Sequence, residues 1–377
     1  MAGTIAEVTG TADELSVAID GGPLYGHRTG VAVATEGLLD ALDARPGLTL
    51  QPYLVSGRAT PRTGHVRLPM PGIVASHVWS RTDRPGADRW VGDVDLLHGT
   101  NNWAPPVSIP TVITVHDCWF LRHPDDTPGV IRRMGATLRR AVRRGAWVHA
   151  VSEATAEEVR DVLGTDRVRM IHSGGPSPLS TVEPPSEQTR DLRGRPYVLA
   201  LGTEVRRKDL TTLVSAFADV AASESSLELV LAGAPGDLTP AIDDAIARLD
   251  PTVRDRVRRL GRVDEPMKAW LLRNATVLAY PSLDEGFGFP ILEAQRACVP
   301  VVASDVGAVR EIGGDGVVAV EAGSADAFSA AITSLLDGSR SRLELITAGT
   351  ANHARFSWEL TAAAVHALYC DVIEEAS

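Results

Sequence analysis

The chain has 377 residues, 44% of them hydrophobic and 23% charged, which is ordinary for a globular protein and enough for two cores. A net charge of −11 at pH 7 excludes generic nucleic-acid binding, because a polyanion is repelled, but leaves room for an anionic small molecule in a local basic pocket. Three widely spaced cysteines, Cys118, Cys298 and Cys370, form no CxxC pair; they are expected as small buried hydrophobes in a reducing compartment, without disulfide or zinc framework.

The first residues, "MAGTIAEVTGTADE", lack the basic residues and apolar stretch of a signal peptide and read as a frayed tail. No run of about 18 apolar residues is present to span a bilayer, so a cytoplasmic protein is expected. Strand-like runs then follow in order: "LSVAID", "LTLQPYLV", "DLLHGT", "TVITVHD", "WVHAVS" and "VRMIHSG". Amphipathic segments separate them. The first, Thr29 to Ala44, sets Val31, Ala34, Leu38, Ala41 and Leu42 on one helical face. Another, between residues 129 and 145, carries Arg132, Arg133, Arg139, Arg140, Arg143 and Arg144 opposite Val130, Ile131, Met134, Leu138 and Val142. It reads as a solvated basic face, or as a peripheral contact to an anionic membrane or a lipid-linked acceptor.

From Gly174 to Pro196 the composition turns to Pro, Ser and charge, which reads as a linker. The alternation then restarts with "YVLALG", "LELVLAG", "VRRLGRV", "TVLAYPS", "VPVVASD" and "GVVAVE". The helix after "YVLALG" places Leu210, Leu213, Val214, Phe217 and Val220 together. The final stretch, "FSWELTAAAVHALYCDVIEEA", reads as a long helix. Wholly apolar strands alternating with helices imply parallel sheets covered on both faces. The expected fold is therefore α/β: two Rossmann-like domains facing across a cleft, at 1–185 and 186–356, with helix 357–377 packing back on the first. The default ligand site is the cleft at the carboxyl ends of the strands.

The chemistry concentrates at those strand ends. In "DEGFGFPILEAQ", Asp284 to Gln295, Glu285 and Glu293 lie eight positions apart, with Gly286 and Gly288 between them and Pro290 opening a helix. The glycines allow close backbone approach, and a helix N-terminus suits a phosphate. Glu293, read in the first helical turn, either complements the helix dipole or accepts two sugar hydroxyls. Arg207 and Lys208, after "YVLALG", can neutralise a diphosphate as it becomes a leaving group, a contact worth on the order of 3–4 kcal/mol. "GGPLYGHRTG" places Gly30 at a helix start, and "TVITVHDCWF" ends a strand with His116 and Asp117. "DVD", at Asp93 to Asp95, matches a metal motif but opens a first-domain strand, so no metal is expected there.

"EGFGFPILE" resembles the E-x7-E signature of retaining glycosyltransferases of family 4, which have the GT-B fold. "LGTEVRRKDLTTLVSAF", "VSEATAEEV", "RLGRV", "PVVASDVGAVREI" and "FSW" are similar to further elements of that family and occur in its order. The resemblance implies a metal-independent retaining enzyme with no cofactor, moving a hexose from a nucleotide sugar to a glycan, glycolipid or small glycoside. GDP-mannose is the first donor expected. Carried over residue by residue, Glu285 meets the donor sugar ring, and Gly286, Phe287 and Gly288 offer backbone N–H groups. Glu293 holds the ribose. Gly30, Arg207 and Lys208 lie along the diphosphate, Gly202 and Thr203 belong to the donor site, His116 lies against the sugar, and Arg262 and Val263 border the base. Phe289 completes the donor site, and Asp117 orients His116 or touches the acceptor. At the cationic segment Val205 and Arg206 replace the usual Glu-Pro pair and Asp209 replaces Asn, which leaves open which guanidinium reaches the phosphates. A GT-B 2-epimerase, a phosphorylase and a non-catalytic sugar-nucleotide-binding protein are the competing readings.

Overall fold

The computed structural model describes residues 15–176, 189 and 192–377. The N-terminal tail, part of the linker and the 185/186 domain boundary lie outside the described residues. Two sheets, parallel throughout, carry the structure. The first has the order β3-β2-β1-β4-β5-β6-β7, with β1 Leu15–Asp20, β2 Leu48–Val55, β3 Val66–Leu68, β4 Leu96–Gly99, β5 Thr111–Val115, β6 Trp147–Ala150 and β7 Val168–Met170. The second has the order β10-β9-β8-β11-β12-β13, with β8 Tyr197–Leu201, β9 Glu228–Ala232, β10 Val257–Gly261, β11 Val277–Tyr280, β12 Val301–Ser304 and β13 Val317–Val320. In each sheet the order reverses direction beside the first strand of the half, β1 or β8, and such a switch point opens a crevice at the carboxyl ends of the strands.

Each sheet buries both faces. In the first half, Ala18, Leu97, Ile113 and Val148 pack on one side with the helices Gly72–Trp79 and Gly129–Arg143. On the other side, Val17, Ile19, Leu96 and Val112 meet Leu38 and Leu42 of the helix Gly30–Asp43. That same layer is closed by the C-terminal helix Trp358–Ala376, whose Val365, Leu368, Tyr369 and Val372 recur at three- and four-residue spacing. Gly37 makes this docking feasible: a Cβ there would meet the Trp358 indole at 2.2 Å.

Tyr369 also starts a buried chain of hydrogen bonds. Its hydroxyl donates to His98 Nδ1 at 2.6 Å, His98 Nε2 donates to Thr114 Oγ1 at 2.7 Å, and Thr114 donates to His149 Nδ1 at 3.0 Å. His149 Nε2–H ends on the Ile171 carbonyl at 2.9 Å, which fixes the direction of every proton when both rings are neutral. Burial drives the His149 ring down to about 4, against the hydrogen bond to Ile171, and drives His98 the same way. The unfolded chain therefore binds protons that the fold refuses. Stability is expected to be intact above about pH 6.5 and to fall as the pH drops from there toward 4, by roughly 3 kcal/mol for His149. Thermal melting across that window checks this, and His149→Gln should flatten the slope.

The basic helix spends most of its arginines locally. Arg140 bonds Asp83 at 2.8 Å, Arg144 pairs with the same carboxylate, Arg139 reaches the Val162 carbonyl at 2.7 Å and Arg133 reaches Ser76 at 3.1 Å. Arg132 and Arg143 face solvent. Two cysteines depart from expectation. Cys118 is buried, but Cys298 and Cys370 are exposed, and Cys298 adopts φ 58° where the chain turns out of a helix.

Candidate active site

The strand ends of the two halves meet along one seam. Gly286, on the loop after β11, lies against the backbone of His116 after β5; a Cβ on Gly286 would meet the His116 carbonyl oxygen at 1.4 Å. No side chain fits there. Beside this touch, Phe287 and Leu292 join Val151, Ile312 and Phe356 in an apolar cluster drawn from both halves. Phe287 thus turns its side chain into the joint and leaves only its backbone for a ligand. Glu311, in the helix Gly307–Gly313, accepts from the backbone N–H groups of Glu153 and Ala154, at 2.9 and 3.3 Å, and pairs with His172 at 2.5 Å. A carboxylate of one half so caps a helix N-terminus of the other, a favourable pairing of charge and dipole. Burial raises the Glu311 carboxyl, but His172 and the two N–H groups outweigh it and hold it below the usual range. The chain leaves the first half and returns to it at adjoining points, where the Gly175 N–H donates to the Phe356 carbonyl at 3.2 Å.

Glu285 is the centre of the seam. Lys208 donates to one carboxylate oxygen, Tyr280 donates to the same oxygen at 2.5 Å, and Arg207 reaches the other at 3.1 Å. Lys208 also donates to the Tyr280 hydroxyl at 2.6 Å. Burial pushes the Glu285 carboxyl up, but Lys208, Arg207 and their hydrogen bonds prevail and hold it at about 2. Lys208, pulled down by burial to about 8 in spite of Glu285, still carries its proton at neutral pH. The two cations come from a short turn, Arg206–Lys208, closed by Asp209 at φ 41°, so that they point into the cleft from the end of β8. Arg206 points elsewhere, largely exposed and 3.7 Å from Asp126, so Arg207 is the guanidinium facing the carboxylates. Asp117 lies 3.9 Å from Arg207 and holds the Trp119 N–H at 3.2 Å.

His116 is drawn toward the first half. Its backbone N–H donates to Asn102 at 2.8 Å and its Nε2 to the Thr100 carbonyl at 2.8 Å. Burial holds the ring below its usual value against the bond to Thr100 and the nearby Asp117, so it is neutral and keeps Nδ1 as an acceptor. Glu293 is not in the first helical turn. The helix begins at Phe289, one residue before Pro290, and carries no acid in its first turn. Its partner is instead Lys268 at 2.7 Å, which also meets Glu265 at 3.0 Å. Glu265 in turn lies 3.5 Å from Arg28, across the cleft in the Gly-rich loop. The Phe289 ring lies 3.7 Å from where a Cβ on Gly30 would stand, which brings that loop to the donor helix.

The other expected residues line the same edge. Gly202 adopts φ 147° beside the Lys208 side chain, Thr203 is exposed, Arg262 is exposed and Val263 is half-buried. Sequence reading missed Tyr280, Lys268 and Arg28. Tyr280 carried a signal, since it is the one polar-tipped residue ending an otherwise aliphatic buried strand.

Two parallel-sheet halves, each with a switch-point crevice and facing one another over this ionic centre, have the architecture of the GT-B fold. The chain belongs to the family 4, group 1 glycosyltransferases. The family described as Glycosyl transferases group 1 matches residues 185–352, and that described as Glycosyltransferase Family 4 matches residues 28–174. Among relatives, the O-antigen chain mannosyltransferase B of Escherichia coli is 30% identical over 70% of this chain and 71% of that protein. A phosphatidyl-myo-inositol mannosyltransferase of Mycobacterium leprae (strain TN) is 28% identical over 86% of each. Among solved structures, sucrose-phosphate synthase from Thermosynechococcus elongatus superimposes with a TM-score of 0.71 at 20% identity, covering 96% of this chain and all of that one. The lipopolysaccharide glycosyltransferase WaaG gives 0.70 at 16% identity, over 93% and 98%. Among the described residues no helix is long and apolar enough to cross a membrane.

Proposed function

We propose that the protein is a retaining glycosyltransferase that moves mannose from a nucleoside-diphosphate donor, GDP-mannose first, to a hydroxyl of a glycan, glycolipid or small glycoside. The observation that carries this reading is the Arg207–Lys208 pair held against Glu285 at the seam. Both cations are placed to exchange this carboxylate for a diphosphate, and Glu285 is placed to accept the hydroxyls of the sugar. The names of the relatives, both mannosyltransferases, support the sugar. In the reaction the bond from the anomeric carbon to the leaving phosphate oxygen breaks, and the acceptor oxygen bonds that carbon on the same face. The acceptor proton passes to the departing phosphate. No added metal or cofactor enters this scheme; Arg207 and Lys208 take the developing charge. Retention by this route fits a Glu285 already committed to two cations and a tyrosine, which makes it a poor nucleophile.

Glu293 is assigned to the ribose hydroxyls, with Lys268 orienting its carboxylate. Glu293→Ala is expected to weaken nucleoside diphosphate binding by roughly 1.5–3 kcal/mol. Calorimetry with GDP and UDP reads that loss and ranks the bases, and NMR of the product reads the anomeric configuration. A donor left intact in the presence of sugar acceptors counts for a binding protein, and an altered sugar still on its nucleotide counts for an epimerase. We place the enzyme in the cytoplasm. A peripheral membrane contact rests on Arg132 and Arg143 and on Ile73 and Val74, exposed on the neighbouring helix.

A further inference from the structure

A recess opens beside Glu285. It encloses about 320 Å³, the size of a small-molecule site, and both halves build it. From the first half come Trp119, Arg122, His123 and Glu158; from the second come Asp284 and Glu285, with the start of the helix Gly307–Gly313 as a further wall. None of these residues except Glu285 has a part in the donor scheme. The Trp119 and His123 rings stack at 3.9 Å with 28° between their planes, which holds the half-buried indole in one orientation. The indole N–H has no partner among the described residues, and neither does the Asp284 carboxylate.

Among the charged side chains of the lining, three carboxylates, Glu158, Asp284 and Glu285, face one guanidinium, Arg122. Glu158 is paired with Arg122 and Glu285 with its own cations, so Asp284 remains as an unpaired carboxylate among others. Burial, together with Glu158, Asp117 and Glu285, lifts its carboxyl to about 6. With acids outnumbering the one arginine, the lining disfavours a phosphate and favours hydroxyl or ammonium donors. A flat aromatic face beside carboxylates suits a sugar ring: the weakly positive C–H face lies on the electron-rich ring while the equatorial hydroxyls reach the acids.

We propose that this recess is the acceptor subsite, and that it takes a non-anionic pyranoside laid on Trp119 with a hydroxyl or ammonium at Asp284. The proposal rests on the donor reading above and adds to it the class of acceptor. It also places the acceptor next to Glu285, and so beside the sugar that is transferred.

The test titrates the full chain, with and without saturating GDP, with methyl α-mannopyranoside, glucosamine and mannose 6-phosphate, followed by saturation-transfer NMR and tryptophan fluorescence. Either uncharged or amino sugar is expected to bind, with mannose 6-phosphate about ten-fold weaker or worse. Trp119→Ala should weaken the bound sugar about ten-fold and Trp119→Phe, which keeps a ring, by much less, both with GDP affinity unchanged. Asp284→Asn separates the two sources: it removes any preference for glucosamine if the ammonium is read there and leaves the ranking intact if a hydroxyl is. Tighter binding of the phosphate ester, or sugar affinity indifferent to Trp119→Ala, overturns the proposal. Failure of GDP and UDP to bind, with sugars still seated on Trp119, overturns the donor reading instead.

Discussion

Replacing Glu285 by glutamine is expected to cut sugar transfer by roughly a hundred- to a thousand-fold while leaving nucleoside diphosphate binding as tight as before, or tighter. The reason lies in what Glu285 does in the absence of ligand. Its two oxygens are already taken by Lys208, Arg207 and Tyr280. A diphosphate that arrives competes with this carboxylate for the same two cations. Glutamine keeps the shape and a hydrogen bond from Tyr280 but removes the rival charge, so the anion gains. The transferred sugar, by contrast, loses the acceptor for its hydroxyls. A second readout follows from burial. Breaking a buried ion pair leaves the other charge uncompensated, at a cost of about 3–5 kcal/mol. The ligand-free variant should therefore melt lower, and GDP should restore more stability to it than to the parent. Initial rates, calorimetry and melting curves with and without GDP test all three signs. A variant that loses nucleotide affinity and rate in equal measure contradicts this role.

Gly286→Ala is the second large effect, and its origin is steric. The added methyl would stand 1.4 Å from the His116 carbonyl oxygen, with the neighbouring Asp117 Cα at 3.2 Å. His116 and Gly286 sit on loops that leave β5 and β11 within a few residues, too short a tether to yield by that distance, so the two halves must part. Transfer is expected to fall by about a thousand-fold or more, because a misplacement of about 1 Å alone costs on the order of 10². Each half keeps its own core, so the fold should survive. The separating measurement is small-angle scattering together with circular dichroism. An enlarged radius of gyration with an unchanged spectrum is expected; an unchanged radius with full activity contradicts the account.

The framework was open to reading because apolar strands announce themselves. "LSVAID" and "LTLQPYLV" coincide with β1 and β2 to the residue. Other runs were read too long at their ends. "TVITVHD" stops as a strand at Val115, since His116 and Asp117 turn away to serve the cleft. β3 escaped notice because three residues between prolines and glycines, on a sheet edge, carry too little periodicity. At the site, Glu285, Arg207 and Lys208 were legible through their position at strand ends and through family resemblance. Lys268 was not. It lies 25 positions from Glu293 on another helix, and only packing brings the two to 2.7 Å. Trp119 and Tyr280 drew no expectation of their own, since sequence shows an aromatic ring but not what its edge faces. The exposed Cys298 and Cys370 show how little a residue type alone says about burial.

The adjoining departure and return of the chain, bound by Gly175 and Phe356, has a mechanical consequence. Two strings tied at one edge of a book make a spine: they permit the covers to swing but not to slide. Opening must then peel the seam from its free margin inward, so the Arg28–Glu265 and Glu311–His172 contacts act as separate clasps that can release at different times. A fluorophore pair spanning each clasp would give two distinct opening rates, ordered by distance from that spine.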